Sequence, residues 1–80
     1  MTKKHFEAIA KTLNERALVI KFSDASSTEE KWYGLWVLQH TMFDLAGNFA
    51  KFNDNFDSDK FYSACGIEEM FNETRELLGR

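Results

Sequence analysis

The sequence predicts an all-α fold, a small single-domain bundle of about four helices over residues 1–80. The 80 residues include no proline and only four glycines, so few positions interrupt a helix. Apolar residues make up 44% and aromatic residues 15%, which is far more than a disordered chain carries. Apolar residues recur at helical spacings along the chain, whereas no two segments read as a pair of strands.

The first helix is predicted over residues 3–16. Apolar side chains fall at the i, i+3, i+4, i+7 spacing of one helical face, at Phe6, Ile9, Ala10 and Leu13. Residues 17–22 are rich in β-branched side chains, so helix, strand and loop all stay open there. No second segment reads as a strand that could pair with it, and an isolated strand is not stable, so the predicted helix ends near Arg16 and the conformation of this tail stays open.

The second helix is predicted over residues 27–50. Ser27 and Glu30 have the S-x-x-E spacing of a capping box. Gly34 and Gly47 each disfavour helix, and either could mark a break. The apolar residues form two adjacent stripes, Trp32, Leu35, Trp36, Phe43, Ala46 and Ala50 beside Leu38, Met42, Leu45 and Phe49. Such a wide apolar arc indicates a helix that is central in the bundle or covered by a partner.

The third helix is predicted over residues 57–65. Asp57 suits the N-cap, and the flanking rings of Phe56 and Phe61 have the spacing of a hydrophobic staple. Gly66 then suits the left-handed position that ends the helix.

The fourth helix is predicted over residues 67–78. Ile67, its first residue, is expected to pack back on the third helix in a Schellman arrangement. Apolar or small side chains line one side of the fourth helix, at Met70, Phe71, Thr74, Leu77 and Leu78. The sequence therefore continues the bundle almost to its last residue.

Catalytic and metal-binding chemistry is not predicted. The only soft ligands are His5, His40 and Cys65, and no two of them share a ligand-like spacing, so we expect no metal and no cofactor. Cys65 lies at a predicted helix end and reads as a buried, inert thiol. Neighbouring carboxylates such as Glu29 and Glu30 point to different sides of a helix, which disfavours their acting together as a general acid and a general base. We therefore expect no enzyme activity.

The charge pattern disfavours direct binding to nucleic acid. The net charge is -3, and the segments around Gly66 fail the packing pattern of a helix-turn-helix, because Tyr62 stands where a small residue is needed and Asn72 where an apolar one is needed. The last helix carries four glutamates against Arg75 alone. Phosphates would repel it.

A cytoplasmic location is expected. Glu7 and Lys11 interrupt the N-terminal segment, so it has no apolar core of a signal peptide. The longest apolar run, residues 17–20, is far shorter than the roughly 20 residues that a membrane span needs. A single cysteine fits a reducing compartment, and we predict no membrane association.

Residues 49–66, FAKFNDNFDSDKFYSACG, resemble a core shared by uncharacterised small phage and prophage proteins, F-x-x-x-N-x-x-F-D-x-x-x-F-x-x-A-C-G. Those proteins often open with a segment similar to residues 5–10, HFEAIA. This chain departs from them in having Asp54 where a proline is common and in its acidic tail after Gly66. The resemblance implies a phage-encoded protein of the host-cell cytoplasm and implies no activity.

Protein binding is the function that these observations favour. Residues 1–40 have a net charge of +1 and residues 41–80 a net charge of -4, so the acidic half can be steered to a basic surface. The expected partner is a host or defence protein with a basic nucleic-acid-binding surface, and inhibitors of the anti-CRISPR or anti-restriction type are similar at the level of class. The predicted contact residues are Glu69, Glu73, Glu76, Trp32 and Tyr33.

Two alternatives stay open at this point. The chain could instead be a nucleic-acid-binding accessory or regulatory protein of the phage. Self-association into a homo-oligomer is also compatible with the wide apolar arc of the second helix.

Overall fold

The computed structural model describes residues 3–79 and consists of four α-helices joined by short connections. The helices are α1 (Lys3–Lys21), α2 (Thr28–Phe52), α3 (Ser58–Cys65) and α4 (Ile67–Leu77). The predicted all-α bundle is confirmed, with no strand among the described residues. Thr2, the residue expected just before the first helix, lies outside them.

Helix α1 continues five residues beyond the predicted end at Arg16. Ala17 is completely buried and Ile20 is partly buried against the core, so the apolar face of the helix simply extends. Packing of this tail therefore outweighs the weak helix preference of its β-branched residues.

Helix α2 begins at the predicted capping box. The Glu30 N–H donates to Ser27 Oγ at 3.2 Å, and the Ser27 N–H donates to Glu30 Oε1 at 3.0 Å. These bonds hold the pKa of the Glu30 carboxyl below its ordinary value, the bond from the Ser27 backbone contributing most. The helix then runs for 25 residues without a break.

The two glycines inside α2 have different surroundings. A Cβ added at Gly34 would lie 3.3 Å from Ile20 Cγ2, so the glycine allows α1 and α2 to pack closely. A Cβ added at Gly47 would meet no atom within 4 Å, and Gly47 is exposed. A glycine in a helix interior costs about 1 kcal/mol relative to alanine. Among residues 3–79, no close contact of Gly47 accounts for that cost.

Helix α3 has the predicted cap and staple. The Lys60 N–H donates to Asp57 Oδ1 at 3.2 Å, and the rings of Phe56 and Phe61 are 5.6 Å apart. Both local signals are therefore confirmed.

The junction of α3 and α4 is a glycine in the left-handed conformation, with φ of 64° at Gly66. Its N–H donates to the Tyr62 carbonyl at 3.1 Å, which is the bond of the αL motif rather than of the predicted Schellman motif. The difference arises because Ile67 already begins α4 and is completely buried. From α1, Asn14 Nδ2 donates to the Cys65 carbonyl at 2.8 Å and so satisfies a terminal acceptor of α3.

All four helices contribute to one core. A ring cluster at one end of it joins Phe6 of α1, Phe49 of α2, Phe61 of α3 and Phe56 of the turn between α2 and α3, with neighbouring centroids 4.8–5.6 Å apart. The buried residues are Ala10, Leu13, Ala17, Leu35, Met42, Ala46, Phe49, Phe61, Cys65, Ile67, Met70 and Thr74. The hydroxyl of Thr74 donates to the Met70 carbonyl at 2.8 Å, which satisfies this one buried polar side chain.

The molecule is elongated, measuring 39 × 21 × 15 Å. At about 1.5 Å per residue, the 25 residues of α2 account for nearly all of the longest dimension. Helices α1, α3 and α4 pack on α2 from one side, which leaves much of its opposite side exposed.

Candidate functional site

The acidity of the second half of the chain is concentrated on α3, α4 and the cap of α3. Two basic residues, Lys60 and Arg75, accompany six carboxylates there. All six carboxylates are exposed: Asp57, Asp59, Glu68, Glu69, Glu73 and Glu76. These exposed carboxylates of α3, α4 and the α3 cap are called the acidic face below.

A groove of about 360 Å³ lies between α3 and the first turns of α4. Three carboxylates border it, those of Asp59, Glu68 and Glu69. The other lining residues are Tyr62, Ser63, Gly66 and Asn72. The groove therefore combines negative charge, hydrogen-bonding side chains and one aromatic wall.

The predicted glutamate stripe lies on the outer side of α4, away from its buried residues Ile67, Met70 and Thr74. Glu69 borders the groove, and Glu76 is exposed further along the helix. Glu73 differs from both, because Lys21 Nζ of α1 contacts its Oε2 at 2.7 Å. Part of the charge of Glu73 is thereby compensated within the chain.

The other acidic side chains near the groove are not compensated in this way. Within residues 3–79 the salt bridges are Lys3–Glu7, Lys11–Glu15 and Lys21–Glu73. None of them involves the four carboxylates of Asp59, Glu68, Glu69 and Glu76. These four carboxylates are exposed and form no salt bridge with another described residue.

The two aromatic residues predicted for partner binding lie on different parts of α2. Trp32 is partly buried and stacks on Phe71 of α4, with centroids 5.6 Å apart and planes inclined by 29°. Tyr33 is 60% exposed and stacks instead on Trp36, 5.8 Å away. The structure thus places Trp32 in the α2–α4 packing and Tyr33 on the open side of α2.

Tyr33 begins a row of exposed side chains along α2, called the aromatic ridge below: Tyr33, Trp36, Val37, His40 and Phe43. The Trp36 and His40 rings are 4.4 Å apart, and the His40 and Phe43 rings are 6.2 Å apart. The exposed fractions of the side chains of Trp36, Val37 and Phe43 are 40%, 44% and 40%. At its end the ridge meets Tyr62 of the groove, whose ring is 5.3 Å from that of Phe43.

The sequence analysis assigned Trp36 and Phe43 to the wide apolar arc of α2 without saying which part of that arc stays exposed, and it did not identify the ridge. One signal in the sequence was available. Tyr33, His40 and Gly47 recur every seven residues, and Trp36 and Phe43 repeat the same interval. An interval of seven is typical of a helix that packs along a second helix.

A second groove, of about 510 Å³, opens between the start of α1 and the turn before α3. Its floor consists of three members of the ring cluster, Phe6, Phe56 and Phe61. Lys3, Glu7 and Lys60 are among the charged residues at its border. The rings that form this floor are also held by the core, so the groove follows from the packing of the cluster.

The chemistry of the single cysteine is that of a protected thiol. Cys65 has no exposed surface, and burial raises the pKa of its thiol to about 11 from 9.0. A thiol with such a pKa is not a nucleophile near neutral pH. The described residues include no group of three or more His, Cys, Asp or Glu side chains placed to hold a metal ion.

Comparison with known proteins adds no relative. No protein-family model, no curated protein and no solved structure matches this chain. Within residues 3–79, no helix has the length and apolar composition that crossing a bilayer requires.

Proposed function

We propose that the protein is a small protein-binding module whose acidic face recognises a basic surface on another protein. The observation that carries this proposal is the set of four exposed carboxylates without an ion-pair partner in the described chain, three of which border one groove. Such a field raises the association rate with a basic partner and fixes its orientation.

The groove suits an arginine side chain of the partner. A guanidinium group can donate two parallel hydrogen bonds to one carboxylate, such as that of Glu69 or Asp59. Its flat face can stack on an aromatic ring, and the ring of Tyr62 lines the same groove. The pairing of charge with an aromatic wall favours arginine over lysine as the anchoring residue.

The proposed partner is a host or defence protein whose basic surface normally binds nucleic acid. Carboxylates compete for the same lysine and arginine side chains that would contact phosphates. Occupation of that surface by the acidic face would inhibit the partner by competition. The resemblance of residues 49–66 to phage proteins supports a setting in the cytoplasm of an infected host, and inhibitors of the anti-CRISPR or anti-restriction type act in that setting.

The charge reversal Glu69→Lys with Glu76→Lys tests this proposal. Wild-type chain is used to capture its partner from host lysate, the partner is identified by mass spectrometry, and binding is then measured with purified partner. We expect the double variant to reduce the association rate at least tenfold at low salt and to remove most of its salt dependence. The matched control, Glu7→Lys with Glu15→Lys on α1, changes the net charge equally and should leave most of the rate intact. Equal rates for both variants would contradict the assignment of the acidic face.

Binding to a random DNA duplex, measured as a second ligand, distinguishes a protein-binding module from the alternative, a nucleic-acid-binding protein. A direct nucleic-acid binder should bind the duplex more tightly once lysines replace Glu69 and Glu76, because each added phosphate contact releases counterions. A protein-binding module should bind the duplex weakly before and after the substitution.

A further inference from the structure

We propose that the aromatic ridge is an interface with a second copy of this chain, in which two α2 helices pack antiparallel around a two-fold axis at His40. In this arrangement residue number i of one copy faces residue number 80 − i of the other. Tyr33 then faces Gly47, Trp36 faces Asp44, and Val37 faces Phe43. The interface is isologous, as expected for a two-fold dimer.

Gly47 is the first observation that favours this register. It is exposed in the middle of α2, and the space that a side chain would fill is empty within the chain. In the antiparallel pair this space lies opposite Tyr33, which is 60% exposed. The missing side chain therefore provides a recess for the most exposed ring on the ridge. Close approach of another element is a recognised reason for a glycine inside a helix.

Charge complementarity is the second observation. Glu29 precedes the ridge by one turn, and Lys51 follows Gly47 by one turn. Their numbers sum to 80, so the register that seats Tyr33 over Gly47 also places Glu29 of each copy beside Lys51 of the other. A parallel pair would place Glu29 beside Glu29 and Lys51 beside Lys51, and both contacts would be repulsive. The charges thus select the antiparallel direction.

The exposed area sets the expected strength of the dimer. Tyr33, Trp36, Val37 and Phe43 are 40–60% exposed. With about 150–250 Å² for each ring, they present roughly 350 Å² of mainly apolar surface in each copy. Two copies therefore contribute roughly 700 Å², which is below the roughly 1,200 Å² of stable specific interfaces and in the range of weak, transient ones. We therefore expect a weak, reversible dimer with a dissociation constant of roughly 100 μM rather than an obligate one.

The inference is independent of the proposed function. None of the carboxylates that border the groove lies on the ridge, so a dimer would present two acidic faces. Charge reversal at Glu69 and Glu76 should consequently leave self-association unchanged. Loss of the dimer and loss of partner binding can therefore be observed separately.

Sedimentation of the full chain between about 10 μM and about 1 mM, concentrations that bracket a dissociation constant of about 100 μM, is the first test. We expect the mass to rise from 9.3 kDa towards twice that value. Gly47→Gln fills the proposed recess with a side chain that meets nothing in its own copy, and we expect it to weaken the dimer at least tenfold. Ala8→Gln adds the same side chain at an exposed position of α1 and should have no effect. Far-UV circular dichroism of both variants shows that the fold is retained.

Cysteine cross-linking with oxidised glutathione tests the register. His40→Cys lies on the proposed axis and should form a disulfide-linked dimer. Tyr33→Cys alone should not, because the two copies of residue 33 would be 14 residues apart, about 21 Å along the helices. A mixture of Tyr33→Cys and Gly47→Cys chains should cross-link again. The wild-type chain is the background control, since its only thiol, that of Cys65, is buried.

Three results would overturn the proposal. The first is a wild-type chain that stays monomeric throughout the concentration range. The second is a dimer of equal affinity in wild type and Gly47→Gln. The third is efficient self-cross-linking of Tyr33→Cys, which would indicate a parallel pair.

Discussion

Two rows of aromatic rings in this small protein have similar spacing and opposite roles. In the ring cluster, Phe6, Phe49, Phe56 and Phe61 come from four separate segments, and their centroids are 4.8–5.6 Å apart. In the aromatic ridge the rings come from α2 alone, and neighbouring centroids are 4.4–6.2 Å apart. Ring spacing by itself therefore does not distinguish a core from a surface.

The distinction lies in what each contact holds together. Ridge contacts join residues three or four positions apart, and an isolated helix would make the same contacts. Contacts in the ring cluster exist only when distant segments meet, so they report on the tertiary fold. The cluster stabilises the molecule, whereas the ridge leaves its apolar surface available to another chain.

The largest expected effect separates these two roles directly. Phe61→Ala should lower the free energy of unfolding by about 3–5 kcal/mol, because it removes a buried ring that contacts the rings of Phe49 and Phe56. Tyr33→Ala on the ridge should change it by less than about 0.5 kcal/mol. Urea unfolding followed by circular dichroism, at a concentration where the chain is monomeric, measures both values. Similar losses for the two variants would mean that the ridge also holds the fold together.

An intermediate effect is expected at Cys65, which lies in the core next to the α3–α4 junction. Cys65→Ser should cost about 1–3 kcal/mol, because it buries a hydroxyl group in a site shaped for a thiol. A thiol reagent should label wild-type Cys65 slowly in the native state and rapidly in urea. Rapid native labelling would contradict the buried position.

The raised pKa of Cys65 also predicts how stability depends on pH. The unfolded thiol loses its proton near its ordinary pKa of 9.0, whereas the folded thiol keeps it up to about 11. The contribution of the neutral thiol to stability is therefore complete below about pH 9 and is lost as the pH rises towards 11. Cys65→Ala should remove this part of the decline, which comparison of the two unfolding profiles between pH 8.5 and about 11 would reveal.

The smallest expected effect concerns the two glycines of α2. Gly34 faces the core, and Gly47 lies on the side of the ridge. Gly47→Ala should raise the free energy of unfolding of the monomer by about 0.5–1 kcal/mol, because the new methyl group meets nothing and alanine favours helix. Gly34→Ala should gain less or lose stability, because its methyl group would lie 3.3 Å from Ile20 Cγ2. Thermal unfolding of the two variants under identical conditions measures the difference. Equal gains would show that α1 and α2 are not closely packed at Gly34.

Much of the fold could be predicted from the sequence because its signals are local. Ser27, Asp57 and Gly66 act on their own turns of helix, and the structure confirms all three positions. The end of α1 could not be predicted in the same way. It depends on the burial of Ala17 and on the contact of Ile20 with Gly34, which only the packed structure provides.

The surfaces were harder to predict than the helices. The apolar arc of α2 extends over more of the helix than its neighbours can cover, and the sequence does not state which part stays open. Trp36 and Phe43 are 40% exposed, and the sequence pattern alone does not distinguish them from the buried members of the arc. Likewise, the sequence does not distinguish Glu73 from Glu69. The two carboxylates differ because Lys21 of α1, 52 positions earlier in the chain, contacts Glu73.

The bonds from α1 to the last two helices set the order in which the chain can fold. Asn14 bonds the carbonyl of Cys65, 51 positions later, and Lys21 pairs with Glu73, 52 positions later. Contacts of such long sequence separation form late, since a long loop must close before they stabilise anything. During synthesis α1 and α2 emerge before α3. Phe6 and Phe49 therefore cannot pack in a cluster with Phe61 until α3 has been made. Until α3 has left the ribosome, the rings of the cluster cannot pack together, and exposed apolar rings promote aggregation.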